Sequence, residues 1–195
     1  TNAASLRQEL AKEGRVFQTT VDSEVVLSLI ARSRKKTLEE RVAEAANAIK
    51  GAFAILIMSN DKLIAFRDPY GFRPLCLGRL DHGWVVASET CALDLVGAHY
   101  VRDIKPGEMI VIDDADKEPT SLMYAQHQPE HRAHCIFEFV YFARPDSIMD
   151  GESIYLARVN MGRILARETK DIKADIVISV PDSGTPAAIG YGPEK

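Results

Sequence analysis

Residues 134–147 read HCIFEFVYFARPDS, and the chain changes character across them. Upstream lie short apolar runs broken by turn residues. Downstream lies a long stretch with helical spacing, then the apolar run DIVISV at 175–180, broken by ProAspSerGly. A change of apolar period of this kind separates a sheet-rich region from a helix-flanked one. The reading therefore sets two domains on the chain, 1–130 and 131–195, with the quoted stretch opening the second.

Of the 195 residues, 46% are hydrophobic and 27% charged, so a core can form without covalent staples. A formal charge of -4 argues against a nucleic-acid duplex or an anionic membrane as main partner. It leaves room for a small phosphorylated ligand, which a few oriented amides can hold. Cys76, Cys91 and Cys135 lie far apart without CxxC spacing, which speaks against a disulfide framework and a self-contained zinc site. A reducing, cytoplasmic setting is the expectation. No apolar run reaches the length of a membrane span, and no signal peptide is recognisable. A chain that opens on ThrAsnAlaAla is expected to be a piece of a longer protein.

From the start, Thr1 or Asn2 is placed to cap a helix with Ala3, Leu6 and Leu10 on one face and Gly14 as its stop. Asp22 or Ser23 is placed to cap a second, whose apolar face is Val25, Val26, Leu29 and Ile30. The basic run 32–36 reads as solvated surface. Thr37 and Glu40 have capping-box spacing for a third helix. The continuous apolar run 52–58 predicts a central strand, AsnAsp at 60–61 a turn, and 62–67 a returning strand. Two prolines and a glycine exclude regular structure from 68–74, where Arg67, Asp68 and Arg73 are expected to form a buried ion-pair network. Segments 75–79 and 84–88 pair across AspHisGly, a short helix runs from Cys91 to Leu95, and ProGly at 106–107 precedes another strand. Antiparallel strands with helices gathered in one region predict a layered α+β domain.

The linker 126–134 carries three histidines at irregular spacing, which reads as surface rather than as a metal site. Ile154, Ala157, Met161, Ile164 and Leu165 form the apolar stripe of a long helix. Residues 175–180 predict a strand buried in a parallel sheet. Thr185 is placed to cap a further helix with Pro186 at its first position.

Three features are candidates for chemistry. The loop 181–185 delivers Asp182, Ser183, Gly184 and Thr185 to a helix start, where free N–H groups suit phosphate oxygens and a glycine allows close backbone approach. The same pattern also serves an ordinary turn. Asp22, beside Thr19, Thr20 and Ser23, can bind a substrate ammonium group or act only as a cap. Cys135 can be a nucleophile, a cluster ligand or a small buried hydrophobe. A cluster needs four thiolates and the chain has three cysteines, so one copy cannot complete it.

Together these pieces resemble the glutamine phosphoribosylpyrophosphate amidotransferases. The segments TNAASLR (1–7), QTTVDSEV (18–25), GAFAILI (51–57), RDPYGFRPL (67–75), VASETCA (86–92) and KPGEM (105–109) are similar to the later part of a class II glutaminase domain. That class has a four-layer αββα, N-terminal-nucleophile fold, and asparagine synthetases share several of its motifs. YFARPDS (141–147), YLARVNMG (155–162) and VPDSGTPAAIGY (180–191) resemble the start of the α/β phosphoribosyltransferase half.

The resemblance implies a reaction. An N-terminal Cys attacks the glutamine amide, with its own α-amine as base. The released ammonia crosses to a second site and displaces pyrophosphate from phosphoribosylpyrophosphate, giving 5-phosphoribosylamine in the first step of de novo purine synthesis. Asp22 matches the carboxylate that holds the glutamine α-amino group. Asp182, Ser183, Gly184 and Thr185 fall on the pyrophosphate loop, beside magnesium and with a cis peptide as similar transferases have. Cys135 matches a possible ligand of a [4Fe-4S] cluster. Purine nucleotides are implied as feedback inhibitors and a homo-oligomer as the assembly. The family's nucleophile, its substrate-clamping Arg and its AsnGly oxyanion hole would precede Thr1, so the expectation is a piece of the enzyme that hydrolyses no glutamine by itself. The alternatives are an asparagine-synthetase type of amidotransferase, for which VPDSG does not supply the ATP loop, and a non-catalytic relative.

Overall fold

The computed structural model describes residues 1–126, 129 and 131–194. In chain order its elements begin with α1 (Ala3–Lys12), α2 (Asp22–Arg32), α3 (Leu38–Ala48), β1 (Ala54–Met58), β2 (Leu63–Arg67), β3 (Cys76–Leu80), β4 (Gly83–Ala87) and α4 (Thr90–Leu95). They continue with β5 (His99–Asp103), β6 (Glu108–Ile112), β7 (Thr120–Met123), β8 (Ile148–Met149), β9 (Glu152–Ser153), α5 (Ile154–Glu168) and α6 (Thr185–Tyr191). A π-helical turn covers Glu138–Phe142. Contacts gather the chain into two units, Thr1–Arg73 with Ile104–His134, and Pro74–Asp103 with Cys135–Lys195.

The first unit holds α1 to α3 and an antiparallel sheet in the order β1-β2-β6-β7. Ile64 and Phe66 alternate along β2, as do Met109 and Val111 along β6. All four are buried in one cluster with Leu10, Val25, Leu29, Val42 and Ala45 from the helices. The helices are placed by their ends. Thr37 and Glu40 make the full capping box of α3. Asn2 precedes α1 but makes no cap bond. Its amide instead donates to Ala48 O and its oxygen accepts from Lys50 N, tying the start of α1 to the end of α3.

Two expectations for this unit are corrected. The run 52–58 is not a central strand, because β1 pairs only with β2 and lies at the edge of the described sheet. Arg67 and Asp68 are buried, but the main chain satisfies them rather than each other. Arg67 donates to the carbonyls of Arg73, Ile104 and Gly71. Asp68 accepts from the amides of Phe53, Tyr70 and Phe72. Burial nevertheless pushes the Asp68 carboxyl above its usual range, against those amide bonds. A loop that must turn inside a core has more unpaired peptide groups than charges, so buried charges are drawn to the peptides.

The second unit contains a sheet in the order β4-β3-β5 and the β8–β9 pair. The β3–β4 hairpin turns at AspHisGly as predicted, with Gly83 at φ 137. β5, like β7 of the first unit, was not foreseen, since its HYVRD sequence is too polar to signal a strand. The apolar stripe of α5 also differs from the expectation. Ile154, Arg158, Val159, Gly162 and Ala166 are the buried positions, while Ile164 and Leu165 stand about half exposed. The cause is α6. A Cβ on Gly162 would come within 1.9 Å of Ala187 O, and one on Gly190 within 2.0 Å of Val159 O, so two glycines let the helices touch backbone to backbone. Residues 175–180 are not a buried strand either. They join no sheet, and Ile178 is 85% exposed, because no described strand lies alongside to pair with them.

Candidate functional site

Each unit presents one candidate site. In the first, the loop before α2 is held by Glu24, whose carboxylate accepts from Gln18 N, Thr19 N and the Thr19 hydroxyl at 2.7–2.9 Å. The Gln18 amide is the largest of the influences that hold this carboxyl below its usual range. Arg7 adds bonds to the carbonyls of Thr19 and Val21 at 2.8 and 2.9 Å. The loop is thus positioned without Asp22. The N-cap of α2 is Val21, with no side-chain cap bond, and Asp22 is the first helical residue. This corrects the expectation that Asp22 or Ser23 caps the helix. Asp22 is exposed and makes no side-chain hydrogen bond among the described residues. It stands on a cleft of about 150 Å³ lined also by Thr1, Asn2, Leu6, Val26 and Phe53. A carboxylate without a partner, beside a small and mostly apolar cleft at a helix N-terminus, can take an ammonium group whose remaining atoms reach into the cleft.

In the second unit, the loop 181–185 has a tight backbone. The Pro181–Asp182 peptide is cis. Gly184 N donates to Val180 O at 3.2 Å, and Thr185 N to Asp182 O at 3.2 Å. A Cβ on Gly184 would lie 2.6 Å from Val180 O, so the glycine is required by that contact and not by a positive φ. The expected cap is corrected here as well: Gly184 is the N-cap of α6, and Thr185 is its first residue. The Thr185 hydroxyl pairs with that of Ser179 at 3.1 Å. Pro181 has no N–H and the amides of Gly184 and Thr185 are engaged. Among the described residues, the amides of Asp182 and Ser183 are therefore the two in this loop without a partner. Adjacent free amides of this kind form a small concavity for anionic oxygens.

The three cysteines are free thiols. Cys76 and Cys91 are buried and Cys135 is half-buried. Burial pushes the Cys76 thiol up to about 12, which opposes thiolate chemistry there. Among the described residues no three His, Cys, Asp or Glu side chains are grouped to hold a metal ion. His127 of the linker lies outside the described residues. No described helix is long and apolar enough to cross a membrane.

Sequence reasoning missed Glu89 and Arg158. Glu89 follows a strand and precedes a helix, which reads as a cap, and Arg158 reads as part of a charged helix face. Arg158 is in fact 2% exposed and donates to the carbonyls of Phe139 and Ala143 at 2.7 Å, bracing the π-helical turn. No local signal marks either residue, since these bonds span 15 to 58 positions of the chain.

Comparison with known proteins adds the following. Residues 1–95 match the glutamine amidotransferase domain family. The amidophosphoribosyltransferase of Archaeoglobus fulgidus is 45% identical over 201 residues, which is 100% of this chain and 42% of that protein. The chloroplastic amidophosphoribosyltransferase of Vigna aconitifolia is 48% identical over 191 residues, which is 97% of this chain and 38% of that protein. A solved glutamine phosphoribosylpyrophosphate amidotransferase from B. subtilis, complexed with ADP and GMP, superposes with a TM-score of 0.93 at 44% identity. That match covers 99% of this chain and 41% of the other. The chain spans about two fifths of the length of these relatives, and its fold is that of the corresponding part of the solved enzyme.

Proposed function

We propose that this chain, a homologue of amidophosphoribosyltransferases along its full length, is the portion of such an enzyme that receives glutamine at one site and phosphoribosylpyrophosphate at another. Ammonia from the glutamine amide displaces pyrophosphate from C1 of the ribose. The products are 5-phosphoribosylamine, glutamate and pyrophosphate, in the first step of de novo purine synthesis. Residues 1–130 belong to the glutaminase half and 131–195 to the transferase half.

Asp22 holds the glutamine α-ammonium. Its freedom from capping supports this role, because a capping carboxylate would lose a bond on engaging the substrate. The loop 181–185 takes the pyrophosphate on the amides of Asp182 and Ser183, with Gly184 keeping the backbone close and the hydroxyls of Ser183 and Thr185 alongside. The Asp182 carboxylate would repel bare phosphate, so it would turn to magnesium-bound water or to the loop's own amides instead. Purine nucleotides are the feedback ligands, in line with the ADP and GMP of the solved relative, and the enzyme is a cytoplasmic homo-oligomer. The cysteines of this chain do not fit a [4Fe-4S] cluster by themselves, and no step passes through one.

The observation that carries the reading is the pair of unengaged amides at 182 and 183 beside a glycine pressed against backbone. The Asp22 assignment is tested in the full-length enzyme with Asp22→Asn. Loss of an ion-paired contact lowers glutamine-dependent phosphoribosylamine formation by about tenfold or more, while the rate with free ammonia holds. An equal fall in both rates would return Asp22 to a structural role.

A further inference from the structure

Glu89 occupies the N-cap position of α4 yet makes no cap bond. Its Oε2 instead accepts from Arg144 N at 2.7 Å and from the Ser147 hydroxyl at 2.8 Å, across 55 and 58 residues of chain. Its neighbour Thr90 accepts from Ile148 N at 2.8 Å. The ArgProAspSer turn is thereby fastened to the start of α4. Ser147 is 1% exposed, so its bond to Glu89 is sheltered from water. The turn is further stiffened by the two-point pairing of Arg144 with Asp146.

The turn in turn starts α5. Ile154 N donates to Ser147 O and Tyr155 N to Pro145 O, both at 3.1 Å, which satisfies two of the orphan amides of that helix. Arg158, on the next turn of α5, reaches back to Ala143 O. One turn further, Gly162 meets Ala187 of α6 backbone to backbone, and α6 begins directly after the loop 181–184. Every link in this series is a hydrogen bond or a backbone contact, so the loop inherits its position from α5, and α5 from the turn that Glu89 holds.

We propose that Glu89 is a positioning residue for the transferase reaction, although it lies within the stretch that matches the glutamine amidotransferase family. The proposal rests on the reading of loop 181–185 as the pyrophosphate site. A half-buried carboxylate that accepts two bonds, one of them from the buried Ser147, fixes the turn. Its loss leaves Arg144 N and the Ser147 hydroxyl without an acceptor, frees the start of α5 and blurs the loop, so the substrate must order what the protein no longer does.

The test uses the full-length enzyme with ammonia as nitrogen donor. Glu89→Ala raises KM for phosphoribosylpyrophosphate by about tenfold, with kcat changed less than about threefold and basal glutamine hydrolysis within about twofold. Glu89→Gln keeps an acceptor oxygen at the same place and returns KM to within about threefold of the parent enzyme. An unchanged KM in Glu89→Ala, a parallel fall of glutamine hydrolysis, or no rescue by Gln would each overturn the proposal. Binding of phosphoribosylpyrophosphate to Gly184→Val separates the two levels. Unchanged affinity there sinks the loop assignment and the Glu89 role with it, whereas lost affinity there beside an unchanged KM in Glu89→Ala sinks the Glu89 role alone.

Discussion

Residues 54–58 and 175–180 are both short, apolar and rich in β-branched side chains, yet only the first is a strand in this structure. The partner of β1 is close at hand, with Met58 facing Leu63 across a four-residue turn. Closing so short a loop costs little, and an antiparallel ladder follows at once. DIVISV sits between two helices, a setting that belongs to parallel sheets, where neighbouring strands arrive only through long crossovers. Among the described residues none does, and its isoleucines stay exposed. The difference teaches that an apolar run announces that it will be buried. Its partner is announced only when that partner is a neighbour in sequence.

The sharpest test of this contrast is amide exchange. Amides at the centre of β2, paired on both sides with β1 and β6, should exchange more than about a thousandfold more slowly than those of 176–180. Similar rates would mean that 175–180 has found a partner, and the contrast would disappear.

Next in size is the α5–α6 seam, which holds the helix that follows the exposed run. Gly162→Leu places a side chain where Ala187 O now lies. Overpacking against backbone should cost roughly 3 kcal/mol, read as a lower Tm and as faster exchange in α6, with β1 and β2 unaffected. Retention of Tm would show that the two helices can part without loss.

The smallest effect is expected at the loop before α2, where the anchor is again a neighbour in sequence. Amide and hydroxyl bonds lower the Glu24 carboxyl from its ordinary 4.5. A carboxyl lowered on folding favours the native state above its ordinary value, and that contribution is lost as pH falls through the lower, folded value. Protection of the Gln18 and Thr19 amides, taken relative to their intrinsic exchange rates, should therefore fall on acidification below about pH 4.5, and Glu24→Gln should remove most of that step. A pH-independent protection would show that Arg7 holds the loop by itself.

Much of the local architecture was legible in the residues. The Thr37–Glu40 capping box, the turns at 60–61 and 81–83, the irregular stretch 68–74 and the first helix stop at Gly14 all depend on partners a few positions away, and sequence states such partners directly. The two candidate segments were also visible, as a carboxylate at a helix start and a glycine loop after an apolar run. Their hydrogen bonding was not. Only the fold decided that Glu24 and Arg7 would hold the α2 loop and leave Asp22 free, and that Val180 O would engage the Gly184 amide and leave those of Asp182 and Ser183 open. It alone sent the Glu89 carboxylate to a turn 55 residues away. A hydrogen-bonding group joins whichever partner the packed chain brings within about 3 Å. Sequence spacing carries that information along one helix or hairpin and loses it across the long loops that bring distant segments together.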